Sequence, residues 1–418
     1  VTGLTSGAQI TLQNNSSNPL TLSANGTFSF STLVPYNGNY WVTIGTQPTG
    51  QTCVVSGGVG TGITSAVSSV NINCAIQQQY AYVGNTAGFI SQFTIAASGV
   101  LTPMTPATVN MPATHAPYLQ DIAVTPSGQY LYALNQQNST IYQYNIGTGG
   151  GLTLAGAPIS VSAGAIPQGI AVDPTGKYVY VIDDGFLTPF ISGYTIGANG
   201  ALTPMSPATL VTGQRPRQIA MSPNGKYVYV SSLEGVSQYA IGPTGGLTAV
   251  NNPTDVPVGN GAGSMTIDPT NHYAYAVGYQ DNTILQYTIN NANGNLIPMS
   301  PSYLTSGANR TPQTVAVDPS GKYLYVSIES WNLVQQYTIG PGGGLVRMSP
   351  LEVATGIVPW DIAFDPTGAH LYVTSQADLS PPDLWQYTIG AGGTLTPMNP
   401  STTPIGTTYP ISIVTIFK

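Results

Sequence analysis

Charge is what this sequence has least of. No Asp, Glu, Lys or Arg occurs before Asp121, and charged residues make up only 6% of the 418, against about 25% in a typical soluble domain. Thr, Ser, Asn, Gln, Gly and Tyr supply the polarity, so the surface is close to neutral. Eight basic residues and a formal net charge of −7 exclude nucleic-acid binding, which needs clustered Lys and Arg. Neither a basic amphipathic stretch nor an apolar run of spanning length is present. Cysteine is nearly as scarce. Cys53 and Cys74 lie in one region without a nearby His or third Cys, so they make no metal site. A disulfide is expected, with two buried free thiols as the alternative, and a disulfide implies an oxidising compartment. The chain opens directly on the strand-like "VTGLTSGAQITLQNN", which reads as a processed, secreted protein.

What the sequence has in abundance is repetition. The syllable "YVYV" and its variants begin at Tyr80, Tyr130, Tyr178, Tyr227, Tyr273, Tyr323 and His370, seven starts roughly 48 residues apart. A period of 40 to 50 with several short strands per unit is the mark of a β-propeller. Each unit runs through a segment such as "GIAVDP", the turn "DPTGK", the aromatic doublet, a variable loop, "SQYTIG", a glycine turn and "GLTPM". Alternating β-branched and aromatic residues between Gly and Pro make these four strands. The C-terminal "YPISIVTIFK" matches a first strand with no successors, so it is expected to complete the first blade and close the ring.

The repeated "DPxGKYxYV" and "QYxIGxxGxLxPM" resemble the seven-bladed lactonase-type propellers, which include 6-phosphogluconolactonase and the YVTN-repeat surface proteins. That resemblance implies an all-β, seven-bladed propeller over residues 80–418. Residues 1–75 alternate like a small antiparallel sandwich, with "ANG" as a hairpin turn before "TFSFSTL". They resemble the Ig-like modules of bacterial surface proteins. Residues 76–79 make a very short linker.

Comparison among repeats separates scaffold from site. Asp173, Asp268, Asp318 and Asp365 share the turn slot, where a carboxylate accepts backbone N–H groups. Gln92, Gln143, Gln238, Gln286, Gln336 and Gln386 recur before an aromatic and are expected to satisfy buried backbone groups. His272 and His370 are substitutions within repeat slots.

The loops that vary face one end of the ring, and the remaining charges fall there. Asp183, Asp184, Glu234, Asp281, Glu329 and Asp378 follow the second strands, while His115, Arg215, Arg217 and Arg310 precede the first strands. Tyr118, Trp360 with Asp361, and Tyr409 occupy related positions.

Three functions compete for this pattern. A nearly uncharged surface suits close packing between copies, so a secreted structural protein that self-associates through its N-terminal module, filament-like, is the leading expectation. A strand added by the N-terminal segment is one route. The alternative is a lactone hydrolase in which Arg215, Arg217 and Arg310 clamp an anion and His115, Glu234 or Glu329 serves as base. Here "RPRQIAM" resembles the family's Pro-Arg-His segment, with Gln218 in the histidine's place. A glycan-binding adhesin using Tyr118, Trp360 and Tyr409 is the third. Asp183 and Asp184 lack the spacing of a calcium loop, and neither a cofactor nor a metal is expected.

Overall fold

The computed structural model describes residues 1–48, 50–112, 117–161, 165–185, 188–250, 256, 261–376, 383–405 and 409–418. His115 and Asp378 lie outside these residues. The chain divides into two compact units, residues 1–78 and 79–416. Among the described residues both are built of strands, with a single 3-10 turn at Glu329–Trp331. Among the described residues no helix is long and apolar enough to cross a membrane.

The first unit has six strands: β1 (Ile10–Asn14), β2 (Ser17–Leu22), β3 (Gly38–Thr46), β4 (Gln51–Ser56), β5 (Val59–Ile63) and β6 (Asn71–Ile76). They form a four-stranded sheet in the order β2-β1-β3-β5 and a two-stranded sheet of β4 and β6. Cys53 and Cys74 face each other across β4 and β6 and are joined as a disulfide. They sit in a core with Leu4, Ile10, Leu12 and Ile72.

Two local expectations are corrected here. "ANG" makes no hairpin, because the Asn25 amide is occupied elsewhere: Nδ2 donates to the Leu4 carbonyl and Oδ1 accepts the Leu4 N–H, both at 2.8 Å. The following segment therefore forms no strand, although Phe28 and Phe30 still pack on the core. Nor is the N-terminal segment free to join another molecule. Thr2 pairs in parallel with Asn73, its N–H donating to Ile72 and its carbonyl accepting from Cys74.

The second unit is all antiparallel four-stranded sheets, seven of them among the described residues. Blades 2 to 7 span 119–160, 167–211, 218–249, 262–305, 312–354 and 359–404 in sequence order. In blade 1, Pro410–Phe417 lies beside the strands of 79–110.

The repeated residues explain why the blades stack. The second tyrosine of each doublet is buried and donates to a glycine carbonyl in the last turn of the following blade. These bonds run from Tyr82 to Gly150, Tyr132 to Gly200, Tyr180 to Gly245, Tyr229 to Gly294, Tyr275 to Gly343, Tyr325 to Gly393 and Tyr372 to Gly99, at 2.6–2.8 Å. The first aromatic lies flat on the same turn, so a Cβ on Gly150 would come within 2.3 Å of the Tyr80 ring. That glycine is in the left-handed region, where no other residue is as readily accommodated.

The glutamines act between blades too. Gln92, Gln238, Gln286, Gln336 and Gln386 each accept the N–H that opens another blade's last strand: Leu152, Leu296, Leu345, Leu395 and Leu101. In the turns, Asp173 Oδ1 accepts from Lys177 and Tyr178 at 2.7 and 2.6 Å, and Asp268 and Asp318 repeat the arrangement. His370 replaces a tyrosine and turns its Nδ1 to Asp365, 3.3 Å away.

Candidate active site

A cavity of about 360 Å³ is lined by the beginnings of the innermost strands. Those strands start at Leu119, Pro167, Gln218, Ala262, Pro312, Pro359 and Pro410, and two adjacent slots on them supply most of the wall. The outer slot holds Gln120, Gln168, Arg217, Gly263, Gln313, Trp360 and Ile411 in blades 2 to 7 and 1. The inner slot holds Asp121, Gly169, Gln218, Ser264, Thr314, Asp361 and Ser412 in the same order.

The inner slot stitches neighbouring blades. Asp121 Oδ2 accepts the Ile170 N–H, Gln218 Oε1 the Met265 N–H, Ser264 Oγ the Val315 N–H and Asp361 Oδ2 the Ile413 N–H. Strands that converge on an axis leave these donors without a ladder partner, so a side-chain acceptor must answer them. Gln218 is thus committed to blade packing, where the resemblance places a histidine.

The two acids in this slot carry more than a stitch. Asp121, Ser412 and Asp361 come from blades 2, 1 and 7, and Ser412 is hydrogen-bonded to Asp121. Burial pushes the Asp121 carboxyl up to about 6, against the pull of the Ile170, Ser412 and Ile122 bonds. Asp361 rises to about 7, first through burial and then through the Asp121 charge, while the Ile413 and Ile362 N–H groups hold it down. Each oxygen accepts one backbone N–H, and at Asp361 this leaves a second lone pair on each oxygen for water or a ligand.

Donors line another part of the wall. Arg215 and Arg217 in blade 4 are both exposed to the cavity. Arg215 stands at φ 50°, and Val358 and Gly261 in the matching position of blades 7 and 5 also have positive φ, 54° and 76°. Tyr279, from blade 5, is hydrogen-bonded to Glu329 of blade 6. Burial and the Glu329 charge hold its phenol above the ordinary value, and Arg217 pulls it down.

The structure therefore brings Arg215, Arg217, Glu329, Trp360 and Asp361 together, and adds Asp121, Tyr279 and Ser412. Arg310 does not reach this wall. Its guanidinium is held by Glu352 and lies 4.8 Å over the Trp331 ring, so it is not available as a clamp there. Glu234, Tyr118 and Tyr409 also lie off the cavity lining, all three exposed. Asp183 is buried at the end of a strand in blade 3, its Oδ1 accepting the Ile166 N–H and its Oδ2 unpaired. Burial raises it to about 6, with Asp184 adding repulsion; neither acid lines the cavity. Among the described residues no three His, Cys, Asp or Glu cluster as metal ligands.

A seven-bladed propeller with a polar axial cavity is the class that this geometry defines. The family model for the lactonase seven-bladed β-propeller matches residues 71–185 and 234–380, more than half of the chain. The chain belongs to that family. Solved structures agree on the fold. The periplasmic gluconolactonase of Pseudomonas aeruginosa is 16% identical, with a TM-score of 0.67 over 81% of this chain and 99% of its own. A Bacteroides fragilis protein provisionally assigned as a 6-phosphogluconolactonase is 18% identical, with a TM-score of 0.67 over 81% and 98%. A protein from Lactobacillus plantarum is 20% identical, with a TM-score of 0.62 over 82% and 100%. No curated protein sequence is similar enough to register as a relative.

Proposed function

We propose that the axial cavity binds and hydrolyses a small lactone. The observation that carries this reading is that raised carboxyls and arginines line one cavity: Asp361 at about 7 and Asp121 at about 6 on blades 7 and 2, Arg215 and Arg217 on blade 4. In a closed seven-blade ring, blade 4 stands across from blades 7 and 1. A general base works best with its pKa near the working pH, which favours Asp361.

The step balances without a cofactor. A water loses a proton to Asp361 as its oxygen bonds to the lactone carbonyl. The Arg217 guanidinium stabilises the oxyanion. The ring C–O bond then breaks, and the Asp361 proton passes to the departing alkoxide. Trp360 offers an apolar face to the ring carbons of the substrate.

Ring opening releases an acid, so base uptake at constant pH measures it directly after subtraction of spontaneous hydrolysis. Turnover of sugar lactones should fall roughly 100-fold or more in Asp361→Asn and Arg217→Ala, while Arg310→Ala should change it little. A folded wild-type protein that opens no lactone faster than buffer sinks the reading.

A second reading is favoured by a different observation. Leu33, Tyr36, Trp41, Val59 and Ile76 of the first unit are 55–87% exposed, in a region without a single charged side chain. Exposed apolar side chains of this size in an uncharged region mark an interaction site. The protein is then a secreted, disulfide-bearing molecule whose Ig-like N-terminal module self-associates, with the propeller, closed by Pro410–Phe417, carried on the assembly. Electron microscopy of the secreted material tests it, since dispersed single particles at every concentration exclude a structural polymer.

A further inference from the structure

The first unit contains an open groove of about 770 Å³. Its floor is the edge-to-face pair Phe28 and Phe30, with ring centroids 5.9 Å apart, together with Tyr40 and Val42 of β3. Its rim carries Leu33 and Tyr36, the two most exposed large apolar side chains among the described residues, at 87% and 82%.

The groove walls are unusual in their backbone. Thr27–Ser31 alternates exposed and half-buried side chains as a strand does, yet Thr27–Leu33 joins no sheet. No backbone hydrogen bond connects it to the rest of the unit. Among the described residues, Thr64–Val70 on the other wall likewise makes no backbone–backbone hydrogen bond. Unpaired N–H and C=O groups beside an apolar channel form a template for an added strand.

The occupant is argued from charge and from shape. A groove with no charged side chain nearby attracts no charged partner and sets no repulsion between two like surfaces. The knobs, Leu33 and Tyr36, and the hole, over Phe28 and Phe30, belong to the same face. A surface that carries both halves of its own complement is suited to a two-fold contact. A seven-residue strand with two large side chains covers on the order of 600 Å² per copy, enough in total to pass the ~1,000 Å² expected of a specific interface.

We propose that Thr27–Leu33 of two copies of this chain pair antiparallel across a two-fold axis, with Leu33 and Tyr36 of each entering the groove of the other. The proposal rests on the self-association reading above and names its contact.

The test is sedimentation velocity of the full chain over a hundredfold concentration range, with the thermal transition of each variant as the control for folding. Wild type should form dimers or larger species. Leu33→Asp places a charge in the contact, and Ser31→Pro removes a backbone donor; each should weaken association at least 100-fold. Val54→Asp, on β4 and away from the groove lining, should not. A wild type that stays monomeric throughout overturns both this contact and the self-association reading. Association that survives Leu33→Asp and Ser31→Pro unchanged overturns the groove contact alone. Equal loss in Val54→Asp also overturns it, because any added charge would then suffice.

Discussion

Raising the pH from 4 to 8 should destabilise the propeller through Asp361 and Asp121. Asp361 moves from an ordinary 3.8 to about 7 in the folded protein, and a rise of that size corresponds to roughly 4 kcal/mol. Asp121, at about 6, adds roughly 3 kcal/mol on the same arithmetic. Both carboxyls face an open cavity whose water screens them, so about half or less of the sum should be measurable. The sign follows from proton binding. Between 3.8 and about 7 the folded chain holds protons that the unfolded chain has released, so stability is greatest at the acid end of this window and falls as pH rises through it.

The other carboxylates titrate as well, so the informative quantity is a double difference. Urea midpoints are measured from pH 4.5 to 8 for wild type and Asp361→Asn. The amide keeps one acceptor, loses the charge, and leaves either the Ile362 or the Ile413 N–H without its present partner. The variant should therefore be the weaker protein at pH 4.5, with the gap narrowing by ~2 kcal/mol by pH 8. Parallel curves would refute the raised carboxyl, and with it the general-base role given to Asp361.

Tyr372→Phe removes the donor to Gly99 and leaves a buried carbonyl unpaired, which should cost about 1–3 kcal/mol by urea unfolding; Tyr325→Phe should cost about the same, since its bond to Gly393 is equivalent. Val358 is a β-branched residue at φ 54°, so Val358→Gly should stabilise by about 1 kcal/mol, and a lowered melting temperature would contradict the strain. Reducing Cys53–Cys74 should weaken the first unit by roughly 3 kcal/mol, read as faster proteolysis within residues 1–78, with no change there counting against a structural bridge.

The propeller was legible because seven near-copies of one syllable expose their own logic. A slot filled by Asp or by Gln in repeat after repeat points to a turn or a stitch, and Asp173 and Gln386 do what their slots imply. The site was less legible because its members are exceptions within slots. Asp121 and Asp361 are the acids of a position otherwise held by Gly, Gln, Ser and Thr, a fact visible only when the blades are aligned on the residue after the strand-opening proline. Tyr279 reads as one more tyrosine until Glu329 is found against it. Arg310 carries the same sequence signal as Arg217, and what separates them is Glu352 on an outer strand, 42 residues away. In the first unit, β5 escaped notice because two of its five residues are glycine. Phe28 and Phe30 alternate like strand residues without a strand to pair with.

One slot thus serves both stability and chemistry, and its composition shows how. In four blades this slot answers a backbone N–H of the next blade, and an amide or hydroxyl does so at no electrostatic cost. Gln218 and Ser264 take that route. A carboxylate does it only by accepting burial beside a second carboxylate, which is a poor choice for stability alone. The neighbouring slot of blade 3 makes the choice more pointed. Gly169 has no side chain, and a Cβ there would stand 3.3 Å from the Ile182 side chain and 3.6 Å from Asp121 Oδ2. Gly169→Ala would bring a methyl against Asp121 while leaving every hydrogen bond of the slot in place. It should reduce lactone turnover by more than the crowding of Ile182 lowers the urea midpoint. An equal loss of both would mean that the slot is built for packing alone.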